Sequence, residues 1–328
     1  MSIADRKNNH IEICLKEDVR SKTKNGFEKY RLVHNALPEA DFDSFSIQTD
    51  FLGKKISAPF LISSMTGGTE QGERINRNLV EAAAELNLPF AIGSQRIYLS
   101  DPDIQIYPYR KIAGNIPMLA NVGAVQLNYG FDLQDLQRAV DMISADALIL
   151  HLNPLQELIQ EGGNTNFSGL LRKIESICKC ITVPIVVKEV GWGISCDAAK
   201  KLKNAGVSII DTAGAGGTSW SQVESFVIGT SEARSLAEPF ADWGIPTAEC
   251  VKNIHELYPD ITLIASGGIT DGVEAAKAVF LGASMVGMAA RLLPAAKDGL
   301  DIVCDELAAI IKQYKIARFI SSDIEKIM

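Results

Sequence analysis

The stretch His151–Glu157, HLNPLQE, sets an imidazole, two side-chain amides and a carboxylate within one turn of chain, directly after the apolar run DALIL. Polar groups at the end of a buried strand must satisfy one another or hold a ligand. His151 and Asn153 are two apart and share one face of a strand. Pro154 ends that strand, and Gln156 and Glu157 follow in the loop. A lone histidine there would read as a satisfied core residue; the cluster reads as a ligand site. One carboxylate with amides and waters suits Mg²⁺ bridging to a phosphate. It does not suit zinc, which takes several His or Cys ligands.

Lys188 closes the otherwise apolar run PIVVK. Its neighbour Glu189 faces the opposite way on a strand and is a poor partner for it. A cation there can stabilise an electron-rich ring or an anion, or form a Schiff base as in aldolase barrels; the residues alone leave both open. Three glycine-rich turns, AGAGGTSW (with Gly214, Gly216, Gly217 and Thr218), SGGI (266–269) and GMAAR (287–291), expose backbone N–H groups of the kind that bind phosphate. One such turn would only reverse the chain, whereas three neighbouring ones point to a phosphate-bearing cofactor. GSQR, with Ser94 and Arg96, adds a guanidinium fork for an anion. Arg6, Lys7 and His10 in RKNNH look like a solvated terminal charge run.

These residues need elements to position them. Apolar runs occupy 59–65, 90–95, 117–123, 147–153, 184–190, 208–214, 262–268 and 284–289, separated by amphipathic stretches such as RINRNLVEAAAELN and GVEAAKAVFLG. Near-continuous apolar runs mark strands buried on both faces. Strand and helix repeated about eight times predicts an α/β fold, a (β/α)₈ TIM barrel; an open doubly wound sheet uses the same units. The barrel is favoured because the unusual residues cluster at the carboxyl ends of the runs, where barrel sites are built. Residues 1–57 read as an extension packed on the barrel of residues 58–328. Residues 215–261 form a long but ordered excursion after strand six.

Composition sets outer limits. A net charge of -8 argues against general nucleic-acid binding. No apolar stretch approaches the ~20 residues of a membrane span, and MSIADRKNNH is unlike a secretory signal. The six cysteines form no metal-type CxxC pair and read as reduced cytosolic thiols.

In order and spacing, SSMTGG, GSQR, HLNPLQE, KEVGWG, DTAGAGGTSW, DWGIPT and ASGGI resemble the type 2 isopentenyl-diphosphate isomerases, from RKNNH to GMAAR. The resemblance implies an FMN-binding barrel that interconverts isopentenyl and dimethylallyl diphosphate. It implies reduced FMN, Mg²⁺, and NADPH or NADH as flavin reductant, in a cytoplasmic homo-oligomer, a tetramer or octamer. By resemblance, Met65, Thr66, Gly67, Ser94 and Asn121 line the flavin, Lys188 sits by its N1–O2 edge, and Thr218, Gly267, Gly268, Ala289 and Ala290 hold the phosphate end. Arg6, Lys7, His10, Ser94, Gln95, Arg96, His151 and Asn153 would bind the diphosphate, raising RKNNH from a charge run to a lid. Gln156 would lie beside the alkene, Glu157 would ligate Mg²⁺ and Trp220 would pack on the hydrocarbon. Gln156, Lys188 and His151 are the implied catalytic set, with flavin N5 as the proton carrier. Two places depart from the family pattern: QEGGN (160–164) replaces the common QPEGD, and Thr270 replaces an arginine.

The rival is an FMN-dependent α-hydroxy-acid oxidase or dehydrogenase. Such enzymes pair a His and an Arg, usually as HGxR after strand six, where this chain reads AGAGGTSW. A non-catalytic flavin-binding barrel would leave Arg6, Lys7, Gln156 and Glu157 without a purpose.

Overall fold

The computed structural model describes residues 3–101 and 103–327, so residues 1, 2, 102 and 328, the chain ends of the two predicted segments included, lie outside it. Each of the eight apolar runs carries a strand: β1 Phe60–Ile62, β2 Phe90–Ala91, β3 Met118–Gly123, β4 Ala147–His151, β5 Ile185–Lys188, β6 Ile209–Asp211, β7 Thr262–Ser266 and β8 Met285–Met288. They pair in parallel in the order β7-β8-β1-β2-β3-β4-β5-β6, and β6 closes on β7. The expected closed barrel is present, and the open sheet is excluded.

Local chemistry fixes the surrounding helices. Thr69 caps the helix Glu70–Glu85 by accepting the Gly72 N–H, and the face Ile75, Leu79, Val80, Ala82 and Ala83 is buried. That spacing is one stripe of a 3.6-residue period. Asp271 caps Gly272–Phe280 in the same way. Gly282, at φ +112, stands where the sequence predicted that helix to stop. Residues 215–261 are ordered, as expected, and more helical than the sequence suggested: Trp220–Ile228, Ser231–Ala237 and Thr247–Leu257 are all helices.

Inside the barrel the side chains form layers. The lower layer is apolar, with Leu61, Ala91, Leu119, Ile149, Val186, Ile209, Ile264 and Met285. An N-terminal hairpin, Thr49–Phe51 with Lys54–Ile56, closes the bottom by inserting Phe51 and Ile56 into this layer. Below it, Asp146 accepts Lys54 at 2.6 Å and Arg110 at 2.9 Å, which fixes hairpin and barrel together. Strand side chains alternate with period two. Two residues further along each strand, the inward positions are therefore Ser63, Gly93, Asn121, His151, Lys188, Asp211, Ser266 and Gly287. The barrel changes from apolar to polar in one step, at its carboxyl end.

The N-terminal segment folds around the barrel. Helix α1, Ile3–Lys16, lies across the mouth. The strand Tyr30–His34 pairs antiparallel with Ser321–Lys326 near the other end of the chain. Among the described residues, no helix is long and apolar enough to cross a membrane.

Candidate active site

A cavity of about 570 Å³ opens above the polar layer, within the size range of small-molecule sites. One wall is almost free of side chains. Gly214, Gly216, Gly217, Gly267, Gly268, Ala289 and Ala290 line it, with Thr218 beside them. The wall depends on glycine: a Cβ on Gly267 would lie 2.1 Å from the Gly214 carbonyl oxygen, and one on Gly268 would lie 2.4 Å from that of Gly216. Thr247 Oγ1 fastens the turns by donating to the Gly267 carbonyl at 2.6 Å. Asn25 Nδ2 donates to the Gly268 carbonyl at 2.8 Å and to Glu274 Oε1 at 2.9 Å, tying the N-terminal strap to the same turns.

The HLNPLQE cluster forms the opposite side. Pro154 ends the strand as expected, but Gln156 and Glu157 stand in a short helix, Pro154–Ile159, and not in a loop. Proline at the first helical position needs no N–H partner and presets φ, so the residue that stops the strand also starts the helix. His151 Nδ1 lies 2.8 Å from Asn121 Oδ1. Because Asn121 Nδ2 points to the Ile92 carbonyl, the proton is assigned to Nδ1 and Nε2 faces Gly123 as an acceptor. Burial, then the like charges of Lys188 and Lys7, lower His151 to about 3. Glu157 is buried: Oε1 accepts Asn153 Nδ2 at 3.1 Å and Oε2 accepts the Asn164 N–H at 2.5 Å. Asn153 Oδ1 beside it has no partner.

Helix α1 covers one side of the cavity. Arg6, Lys7, His10, Ile11 and Cys14 line the cavity, a spacing that puts them on one helical face. Lys7 Nζ donates to the carbonyls of Gly67 at 2.6 Å and Ser94 at 3.0 Å, and burial followed by the nearby Arg96 charge lowers it to about 8. His10 meets Trp220 edge-on at 5.2 Å between ring centroids. Lys188 lines the floor, and its Nζ donates to the Glu189 carbonyl at 2.6 Å. The Glu189 carboxylate turns away to accept the N–H groups of Val190, Gly191 and Trp192.

Of the residues singled out from sequence, Arg6, Lys7, His10, Met65, Thr66, Ser94, Arg96, Asn121, His151, Asn153, Gln156, Glu157, Lys188, Thr218, Trp220, Gly267, Gly268, Ala289 and Ala290 line this one cavity. Gly67 lies behind the wall, where its carbonyl anchors Lys7. Gln95 is a correction. It is fully buried outside the cavity lining, its Oε1 accepts the Asn121 N–H at 2.9 Å and its Nε2 donates to the Ala139 carbonyl at 2.8 Å, so it braces strands and does not reach the cavity. Ser94 and Arg96, on either side, turn to the cavity while residue 95 turns away.

Three residues were missed. Glu224 is buried in the helix Trp220–Ile228; its Oε1 accepts Gln156 Nε2 at 2.8 Å and lies 3.1 Å from His10 Nε2. The signal was its position four residues after Trp220, on the same helical face. Asp211 stands two residues after the inward-facing Ile209. Asn25 carried no local signal.

The FMN-dependent dehydrogenase family model matches residues 12–99 and 145–312. The chain is 49% identical to an isopentenyl-diphosphate delta-isomerase of Rickettsia prowazekii (strain Madrid E), covering 95% of this chain and 92% of the relative. It is 47% identical to that of Rickettsia rickettsii (strain Sheila Smith) over the same shares. Among solved structures it superimposes on a mandelate oxidase with a TM-score of 0.67 at 17% identity, covering 98% of this chain and 95% of that one. A flavocytochrome b2 variant gives 0.70 at 16% identity, covering 95% and 78%. At these identities the structural likeness shows the barrel fold and nothing about substrate.

Proposed function

The chain belongs to the isopentenyl-diphosphate delta-isomerase family, on the scaffold of the FMN-dependent dehydrogenases, and from that premise we propose that it interconverts isopentenyl and dimethylallyl diphosphate in the manner of the type 2 enzymes. One observation carries the reading: a single cavity joins a glycine wall, a floor cation and a carboxylate–amide cluster. Reduced FMN fits the first two. Thr218, Gly267, Gly268, Ala289 and Ala290 would hold its phosphate, and Met65, Thr66, Ser94 and Asn121 its ring, with Gly67 fixing Lys7 behind them and Lys188 favouring the anionic form. When bound and reduced, it supplies an electron-rich ring with an exchangeable proton beside the substrate.

The remaining contacts belong to the diphosphate. Arg6, Lys7, His10, Ser94, Arg96, His151 and Asn153 would bind it, and residues 1–57 thereby contribute to the site of the barrel at 58–328. Mg²⁺ fits Glu157 with the unpartnered Asn153 oxygen beside it, a hard oxygen set completed by substrate phosphate and water. Gln156, held by Glu224, would orient the alkene against Trp220. Moving a double bond needs a proton delivered at one carbon and removed at another; the chain's part is to orient the substrate and exclude water. NADPH or NADH as reductant, a cytoplasmic location and a tetrameric or octameric assembly complete the proposal.

The test incubates the protein with isopentenyl diphosphate, Mg²⁺ and dithionite-reduced FMN and follows dimethylallyl diphosphate by NMR. Absence of product sinks the isomerase reading. Bleaching of oxidised FMN by a 2-hydroxy acid would favour the oxidase instead, although residues 213–220 contain neither the His nor the Arg that chemistry needs.

His151 is neutral in the free protein because burial and two cations oppose its charge. A diphosphate reverses that field, so binding near pH 6.5 is expected to take up a proton, read by calorimetry in buffers of different ionisation enthalpy. His151→Asn should remove the uptake; undiminished uptake in that variant would reassign it. Without ligand, the unfolded chain binds this proton below about pH 6.5 and the folded one only near 3. Stability therefore falls as pH drops through that window, by at most about 1.4 kcal/mol per pH unit.

A further inference from the structure

Asp211 is a fully buried carboxylate that the proposed chemistry does not use. It closes β6 in register with Lys188 at the end of β5. Both belong to the inward-facing polar layer, two residues beyond Ile209 and Val186 of the apolar layer. Oδ1 accepts the hydroxyl of Ser266, which stands at the end of β7, and Oδ2 has no partner. Ser63 and Ser266 also crowd Gly287 on the adjoining strand: a Cβ there would lie 2.5 Å from Ser63 Oγ and 2.9 Å from Ser266 Cβ. A buried charge persists only when compensated: burial pushes Asp211 above the usual carboxylate range, and the attraction of Lys188, then the hydrogen bonds from Ser266 and the Ala213 backbone, offset only part of that. Lys188 reaches the cavity floor, whereas Asp211 is sealed beneath it.

We infer that Asp211 is the counter-charge of Lys188, a positioning residue that sets from inside the barrel how much positive charge the ammonium presents to a reduced flavin. Its carboxylate limits the stabilisation of an anionic ring, and Ser266 holds that carboxylate in place. The inference rests on the proposed placement of FMN over Lys188.

The test is the two-electron reduction potential of the FMN-loaded protein, measured against a reference dye. Asp211→Asn keeps size and the Ser266 contact but removes the charge. The reduced form should then bind about tenfold more tightly relative to the oxidised form, the scale of one charge interaction inside a protein, a shift of about +30 mV for this couple. Lys188→Met should move the potential the opposite way. In the Lys188→Met background, Asp211→Asn should change the ratio by less than about threefold. A potential unmoved by Asp211→Asn overturns the inference, because the carboxylate would then be neutral. An equal shift in both backgrounds also overturns it, because Asp211 would act without Lys188. Should Asp211→Asn fail to fold, Asp211→Ser is read in the same way. A wild-type protein that binds no FMN would instead sink the cofactor placement, so the two failures are distinguishable.

Discussion

An alanine at position 267 is expected to leave a folded protein that no longer retains FMN. Gly267 adopts φ +107, a conformation that side-chain-bearing residues rarely adopt. Its absent Cβ would stand 2.1 Å from the carbonyl oxygen and 2.6 Å from the nitrogen of Gly214, and 2.7 Å from Thr247 Oγ1. Two of these three neighbours are backbone atoms, which cannot rotate aside. The turn after β7 would have to move away from the turn after β6, and the wall assigned to the phosphate would open. Backbone strain of this kind costs about 1–3 kcal/mol, and added to the lost register it should weaken FMN binding by about a hundredfold. Gly53→Ala separates the two causes: Gly53 sits at φ +73 with nothing within 4 Å of its Cβ position. That variant should lose some stability and bind FMN normally, as read by quenching of FMN fluorescence. Normal affinity in Gly267→Ala would remove the phosphate from this wall.

The contrast between legible and hidden residues follows from range. The eight strands were readable because burial on both faces writes a local signal, a short apolar run, and the carboxyl-end chemistry came with it. His151 and Asn153 shared a face by simple alternation. The same alternation applied to Ile209 marks Asp211, but the glycine turn that follows it carries the stronger local signal, that of a phosphate site. Gln95 went the other way: the resemblance implied a diphosphate contact for it beside Ser94 and Arg96, while its partners, Asn121 and Ala139, lie on elements that the sequence does not align with it. Pairings across long separations left no local trace. The strand Tyr30–His34 meets residues 321–326, and Asn25 meets Gly268, only because the closed barrel brings the ends round. The lid is an intermediate case. Arg6, Lys7, His10, Ile11 and Cys14 do lie on one helical face, but a charged terminal segment has that pattern whether or not something lies beneath it.

Glu157→Gln should have the largest effect on turnover, a fall of about three orders of magnitude, with the Mg²⁺ requirement shifted at least a hundredfold upward. The carboxylate is buried, so its charge is only weakly screened by solvent. Its two oxygens accept from Asn153 Nδ2 and the Asn164 N–H. A glutamine keeps one acceptor and must turn its NH₂ toward the other donor, losing a bond worth about 1–3 kcal/mol. That loss alone would appear as lower thermal stability without Mg²⁺. The catalytic loss has a different origin. Among the described residues, no cluster of three or more His, Cys, Asp or Glu side chains could hold a metal unaided. In the proposed site the cation would be shared between Glu157, neutral oxygens such as Asn153 Oδ1, and the diphosphate itself. With the charge gone, Mg²⁺ would enter only at high concentration, and excess Mg²⁺ should restore part of the activity. Glu157→Asp, which keeps the charge on a shorter arm, should recover more than Glu157→Gln at every Mg²⁺ concentration. A glutamine variant with the wild-type Mg²⁺ response would show that the carboxylate holds the helix Pro154–Ile159 in place and does not ligate the ion.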